Sequence, residues 1–167
     1  MQTADIDESP QPGESPVDLV ARLALSKATA VRQADSLALE SLFIAADTVV
    51  VRDGEILGKP EGKTEAAAML RSLGGRGHEV ITGFCVLGAE QSHVQAVSTK
   101  VWFRPLTSEV IARYVATGDP LDKAGAYGIQ AGGGAFVERI DGSYSNVVGL
   151  PLVETLAALA LLGGPRL

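Results

Sequence analysis

Asp47 stands in the middle of FIAADTVVV, Phe43 to Val51, where the other eight residues suit a buried strand. A carboxylate inside a strand is costly unless it pairs with a cation, accepts hydrogen bonds or binds a metal. Two lysines nearby in sequence can answer it. Lys27 falls on the apolar stripe of an amphipathic helix, one turn after Leu23 and Ala24, where it either snorkels to solvent or meets an anion. Lys59 precedes Pro60, which forces it into an extended conformation with its side chain projecting near the strand end. An Asp–Lys pair of this kind is either a structural ion pair or the base and cation of an anion-handling site, and spacing alone leaves both open. The acids of Asp5-Ile6-Asp7-Glu8 add carboxylates, so a hard, oxygen-liganded ion such as magnesium has donors here.

Other chemistries find little support. His78 and His93 stand alone, with no second histidine or cysteine at a ligand spacing, which argues against zinc. Cys85, the one cysteine, lies in the apolar run VITGFCVLG and reads as core filler. No Ser-His-Asp or Cys-His set assembles, and Gly132-Gly133-Gly134 fits neither a phosphate loop nor a dinucleotide fingerprint.

The elements that must position these groups are legible. Ser15-Pro16-Val17-Asp18 starts a helix that runs to about Ala34, with Ser15 as N-cap, Asp18 closing a capping box and an apolar stripe of Val17, Val20, Leu23, Ala24, Ala28 and Val31. Residues 1–14, acidic and interrupted by Pro and Gly, read as a loop. FIAADTVVV is a strand, and Asp53-Gly54 turns it into a hairpin with Glu55-Ile56-Leu57. A helix over Thr64 to Leu73 ends at Gly74-Gly75. His78 to Leu87 and Val94 to Arg104 form an antiparallel pair of strands, and a helix capped by Thr107 follows to Ala116. The glycine-rich stretch DKAGAYGIQAGGGAFVERIDGSYSNVVGLP is a long loop with short strand character at 135–140, and such loops often bind ligands. A further helix packs on the body after Pro151. Uneven alternation of helices with hairpins indicates an α/β fold with a mixed sheet.

Composition narrows the partners. The chain has 167 residues and a net charge of −6, so it offers no basic field for a nucleic-acid backbone or an anionic membrane. The longest apolar run is broken by Pro151 and Glu154 and is too short to span a bilayer. The opening MQTADIDESPQPGESP has no apolar core and does not read as a signal peptide. With a lone cysteine, a reducing cytoplasm is the expected setting.

Several motifs now combine: AADTVV at 45–50, ILGKP at 56–60, EAAAML in the second helix, HEVITG at 78–83, then DKAGAYGIQ and GSYSNVVGLP. In this order, and together with IDES at 6–9, they resemble the Maf family of nucleotide pyrophosphatases over nearly the whole chain. The resemblance implies a twisted mixed sheet flanked by helices, two lobes around a central cleft, and hydrolysis of a nucleoside triphosphate to the monophosphate and pyrophosphate. It implies a divalent metal (magnesium or manganese), a cytoplasmic location, a homodimer and a link to septum formation. By motif position, Asp47 is the catalytic base, Lys27 and Lys59 are cations of the site, and Glu8 is an acid near the metal and phosphates, so that Asp47 and Glu8 are the candidate metal ligands. Lys123 is a further cation for the phosphates. Thr48 and Gln130 resemble the branch acting on dTTP and UTP more than the branch acting on 7-methyl-GTP. Gln130 offers an amide donor and acceptor suited to a pyrimidine imide edge. A nucleotide-binding regulator of cell division, without turnover, is the alternative from another class. The family's opening Ser-x-Ser-Pro-Arg-Arg motif has no counterpart in the chain, from which an N-terminally truncated single domain over 1–167 is expected.

Overall fold

The computed structural model describes residues 6–34 and 41–165. Chain order is α1 (Pro16–Ala34), β1 (Phe43–Arg52), β2 (Glu55–Leu57), α2 (Lys63–Leu73), β3 (Gly77–Leu87), β4 (Ser92–Phe103), α3 (Ser108–Ala116), β5 (Val137–Asp141), α4 (Tyr144–Val148) and α5 (Leu152–Leu161), with three short 3₁₀ turns between α3 and β5. The strands form a sheet in the order β2-β1-β3-β4-β5. The α/β class and the flanking helices are as expected, and the strand pairing is antiparallel where the alternation of elements pointed to a mixed sheet. The hairpin is the physical reason. β2 has already reversed the chain before α2, so a crossover through α2 delivers β3 running against β1 rather than alongside it.

Local signals set the element ends. The Ser15 hydroxyl accepts the Asp18 amide at 3.1 Å and donates to the Asp18 carboxylate at 2.6 Å, which starts α1. Asp53 and Gly54 both take positive φ, 52° and 85°, as a tight two-residue hairpin requires, with Arg52 opposite Glu55. The Thr107 hydroxyl accepts the Val110 amide and caps α3.

The described residues divide into two compact units, the first comprising 6–34, 41–48, 82–97 and 149–165 and the second 49–81 and 98–148. In the first unit, strand alternation sorts the core. Phe43, Ala45, Cys85 and Leu87 pack with Ala24 and Ala28 of α1, whereas Leu42, Ala46, Phe84 and Val86 pack with Ala158 and Leu159 of α5. Cys85 is fully buried, and burial pushes its thiol up to about 11, in keeping with core filler. Of the predicted α1 stripe, Val17 is instead 47% exposed, and Leu19 is buried in the first turns. Gly83 matters at this packing: a Cβ built on it would lie 2.3 Å from the Val20 carbonyl oxygen, so the backbones of α1 and β3 touch directly.

The second unit has its own core, in which Leu70 and Leu73 of α2, Val80, Val101 and Phe103 of the sheet, and Ile111 and Val115 of α3 enclose Tyr127 and Phe136. The glycine-rich stretch is therefore less of a free loop than its composition suggests. Tyr127 and Phe136 meet Phe103 edge-on at 4.7 and 5.8 Å. Asn146, fully buried, donates to the Val80 carbonyl and to the Thr99 hydroxyl, both at 3.0 Å.

Candidate active site

In the first unit, β1 and α1 bring three predicted residues into contact. Asp47 follows Phe43 and Ala45 on the α1 face of β1, and Lys27 lies one turn after Leu23 and Ala24 on the buried side of the helix. The Lys27 Nζ donates to Asp47 Oδ1 at 2.6 Å and stands 2.6 Å from Glu8 Oε1. Of the two outcomes open to a lysine on that stripe, the chain takes the anion. Burial works against the ammonium, but the hydrogen bonds to Asp47 and Glu8 outweigh it, so the Lys27 pKa is raised above its ordinary value. Asp47 is the more enclosed carboxylate, 13% exposed against 50% for Glu8.

Thr48 points the other way. Adjacent residues on a strand project to opposite faces, and the Thr48 hydroxyl meets the Thr82 hydroxyl at 2.9 Å, close to Gly149. Thr82 is fully buried on β3. The base candidate and the selector candidate thus sit back to back on β1.

The second unit holds the remaining candidates. Lys59 is exposed in the Gly58-Lys59-Pro60 stretch after β2, and its charge helps keep the Asp122 carboxyl low, after the larger effect of Lys123. The Lys123 Nζ donates to Asp122 Oδ1 at 2.8 Å. Gln130 is exposed in the turn before the 132–136 3₁₀ turn. Of the two lysines, Lys123 is the one in contact with Asp122.

The donor chemistry suits a hard divalent ion, because Asp47 and Glu8 converge on one point of positive charge with carboxylate oxygens. Among the described residues no group of three or more His, Cys, Asp or Glu is placed to hold a metal. Two carboxylates match an ion that completes its shell with phosphate oxygens and water rather than one caged by protein alone.

Sequence reasoning missed Arg22 and Glu14. Arg22 binds the Glu14 carboxylate through Nε at 2.6 Å and Nη2 at 2.8 Å, and Nη2 also donates to the Ser9 carbonyl at 3.0 Å. The available signal was that Arg22 is the first cation after the run of acids in residues 5–14.

Comparison with known proteins decides the family. The model of the Maf-like protein family matches residues 1–162. The chain belongs to the Maf family. Among its Maf relatives, dTTP/UTP pyrophosphatase of Geobacter sp. strain M21 is 53% identical over 162 residues, covering 96% of this chain and 82% of the relative. The protein of the same name from Hahella chejuensis is 50% identical over 161 residues, covering 96% and 80%. That from Anaeromyxobacter dehalogenans is 51% identical over 171 residues, covering 99% and 84%. The helix-flanked sheet is consistent with the Maf fold, and among the described residues no helix is long and apolar enough to cross a membrane.

Proposed function

We propose that this chain, acting as one Maf domain, hydrolyses dTTP and UTP to the nucleoside monophosphate and pyrophosphate. The observation that carries the reading is the Glu8–Lys27–Asp47 contact, in a chain about half identical to relatives named dTTP/UTP pyrophosphatase. With Oδ1 engaged by Lys27, the second oxygen of Asp47 takes a proton from water. The water oxygen bonds to the α-phosphorus, the bond from that phosphorus to the bridging oxygen breaks, and pyrophosphate leaves with the electron pair. Phosphoryl transfer needs positioning and charge stabilisation more than covalent help. Lys27, Lys59 and Lys123 supply cations for the phosphate oxygens. A magnesium or manganese ion, carried by Asp47 and Glu8, would add Lewis-acid polarisation of the phosphates when bound.

Thr48 and Gln130 are the residues proposed to select a pyrimidine, Gln130 through its amide donor and acceptor. The acidic net charge of −6 fits a protein that meets free nucleotides through a few placed cations, without nucleic acid or a membrane. A cytoplasmic protein, as a homodimer, completes the reading.

The test is pyrophosphate release from dTTP and UTP, with 7-methyl-GTP alongside, in magnesium or manganese. Loss of the base should lower the rate by about 10²- to 10⁴-fold. An Asp47→Asn protein as active as the parent would sink the assignment. Nucleotide binding with no pyrophosphate formed would point to a regulator, and faster turnover of 7-methyl-GTP would move the chain to the other branch.

A further inference from the structure

Glu8 poses a positioning problem. Its side chain is half exposed, so burial does not fix it, yet it stands 2.6 Å from Lys27. It also lies in a segment that cannot be fixed as a strand: Pro10 and Pro12 remove backbone donors at alternate positions. The segment is anchored from the side instead. The Ser9 amide donates to Asp7 Oδ1 at 2.9 Å, the Gln11 amide donates to Glu14 Oε2 at 2.9 Å, and the Glu14 amide donates to the Gln11 carbonyl at 3.0 Å, so residues 7–14 fold on themselves. Besides the Glu8–Lys27 contact itself, what ties them to the helix is Arg22. Its guanidinium grips both oxygens of Glu14 and the carbonyl of Ser9, the residue next to Glu8.

We propose that Arg22 is a positioning residue, which buckles residues 7–14 onto α1 and thereby sets Glu8 against Lys27. Ordinary surface ion pairs contribute little, but this one is bidentate and its Glu14 side chain is only 8% exposed. The planar guanidinium fork serves two acceptors at once, which an ammonium on a flexible stem does not reproduce. Arg22 itself has no part in the Glu8–Lys27–Asp47 contact and acts only through the strap.

The importance of Glu8 rests on the proposed function, so the experiment reads the strap and the reaction separately. Hydrogen exchange of residues 7–14 is compared in the parent, Arg22→Ala, Arg22→Lys, Glu14→Gln and Glu8→Gln, beside pyrophosphate release from UTP with magnesium. Arg22→Ala should lose protection in the strap while α1 and the sheet keep theirs, and Arg22→Lys should fall between. Glu8→Gln should leave the strap protected, since the buckle lies elsewhere. The Arg22→Ala rate should fall by about 10- to 100-fold, the range for groups that orient ligating residues. The double variant Arg22→Ala/Glu8→Gln should be no slower than Glu8→Gln alone. Losses that multiply in the double variant, or a strap equally protected without Arg22, would overturn the proposal. Should Arg22→Ala fail to fold, Glu14→Gln removes the other half of the buckle and is read the same way. A parent that releases no pyrophosphate would remove the proposed function, and the exchange data would still decide whether Arg22 holds the strap.

Discussion

Lys27 and Asp47, one on the buried stripe of α1 and one inside β1, are joined by a 2.6 Å contact between Nζ and Oδ1, with Glu8 Oε1 at the same distance from the ammonium. The lysine therefore does two things: it neutralises a carboxylate that would be costly inside a strand, and it separates two acids that would otherwise repel. Lys27→Met keeps an unbranched side chain one atom shorter and removes the charge. Pyrophosphate release from dTTP should fall by about 10²- to 10³-fold, the range for losing one preorganised charge-stabilising group. The two acids, freed of their ammonium, should bind manganese more tightly, so the metal concentration giving half the maximal rate should drop. Rates across a manganese titration read both effects, and a variant with the parent's rate and metal dependence would contradict this role for Lys27.

Thr48 faces away from that cluster and shares a 2.9 Å contact with the buried Thr82 hydroxyl. If Thr48 selects the base, Thr82 sets where its hydroxyl points. Thr82→Val keeps the shape but removes the partner, and an unsatisfied hydroxyl costs about 1–3 kcal/mol. The rate ratio of UTP to 7-methyl-GTP, the discrimination proposed for Thr48, should narrow by roughly 10-fold, about 1.4 kcal/mol, and Thr82→Ser should restore it. Ratios of kcat/KM for the two nucleotides check this; an unchanged ratio in Thr82→Val would detach Thr82 from selectivity.

Gly83 is where α1 meets β3 backbone to backbone. A Cβ there would overlap the Val20 carbonyl oxygen at 2.3 Å, and neither partner is a flexible side chain. Gly83→Ala should push α1 outward and destabilise the protein by about 1–3 kcal/mol, as overpacking does. Lys27 rides on the same helix, so the rate should fall as well. Urea midpoints and pyrophosphate release, measured on one preparation, test the coupling; a stability near the parent's would mean that the helix accommodates the methyl.

The sequence makes the local part of this molecule readable. Ser15, Thr107 and Asp53-Gly54 announce their caps and turn because each acts on backbone groups within a few residues. Asp47 announces a partner because an uncompensated charge in an apolar strand is too costly to keep. What distance in sequence hides is the choice among partners. Lys27 meets Asp47 across 20 residues and Arg22 grips Glu14 across eight, and helix periodicity alone does not distinguish a lysine that snorkels from one that meets an acid. The burial of Tyr127, Phe136 and Asn146 was obscured for a different reason: glycine-rich composition signals turns, while the few residues between them carry the long-range packing.

His78 carries a prediction about pH. It is 5% exposed, its Nε2 lies 2.8 Å from the Tyr127 hydroxyl, and its ring meets Phe103 and Tyr127 edge-on. Burial pushes its pKa down from 6.5 to about 4, and among the described residues its Nδ1 has no hydrogen-bond partner that would favour the charged ring. Between those two values the unfolded chain takes up a proton that the native state refuses. The stability held by neutral His78 is therefore complete above pH 6.5 and is lost as pH falls toward 4, by roughly 3 kcal/mol in all. His78→Gln retains a side-chain amide for Tyr127 and does not titrate. Urea midpoints taken from pH 7.5 to about 4.5 should decline in the parent and stay flatter in the variant. Equal declines would detach His78 from the acid sensitivity, and Glu14 would not take its place in that window: the hydrogen bonds from Arg22 and the Gln11 amide hold its carboxyl at about 2, so its contribution is present above pH 4.5 and fades only as pH falls toward 2.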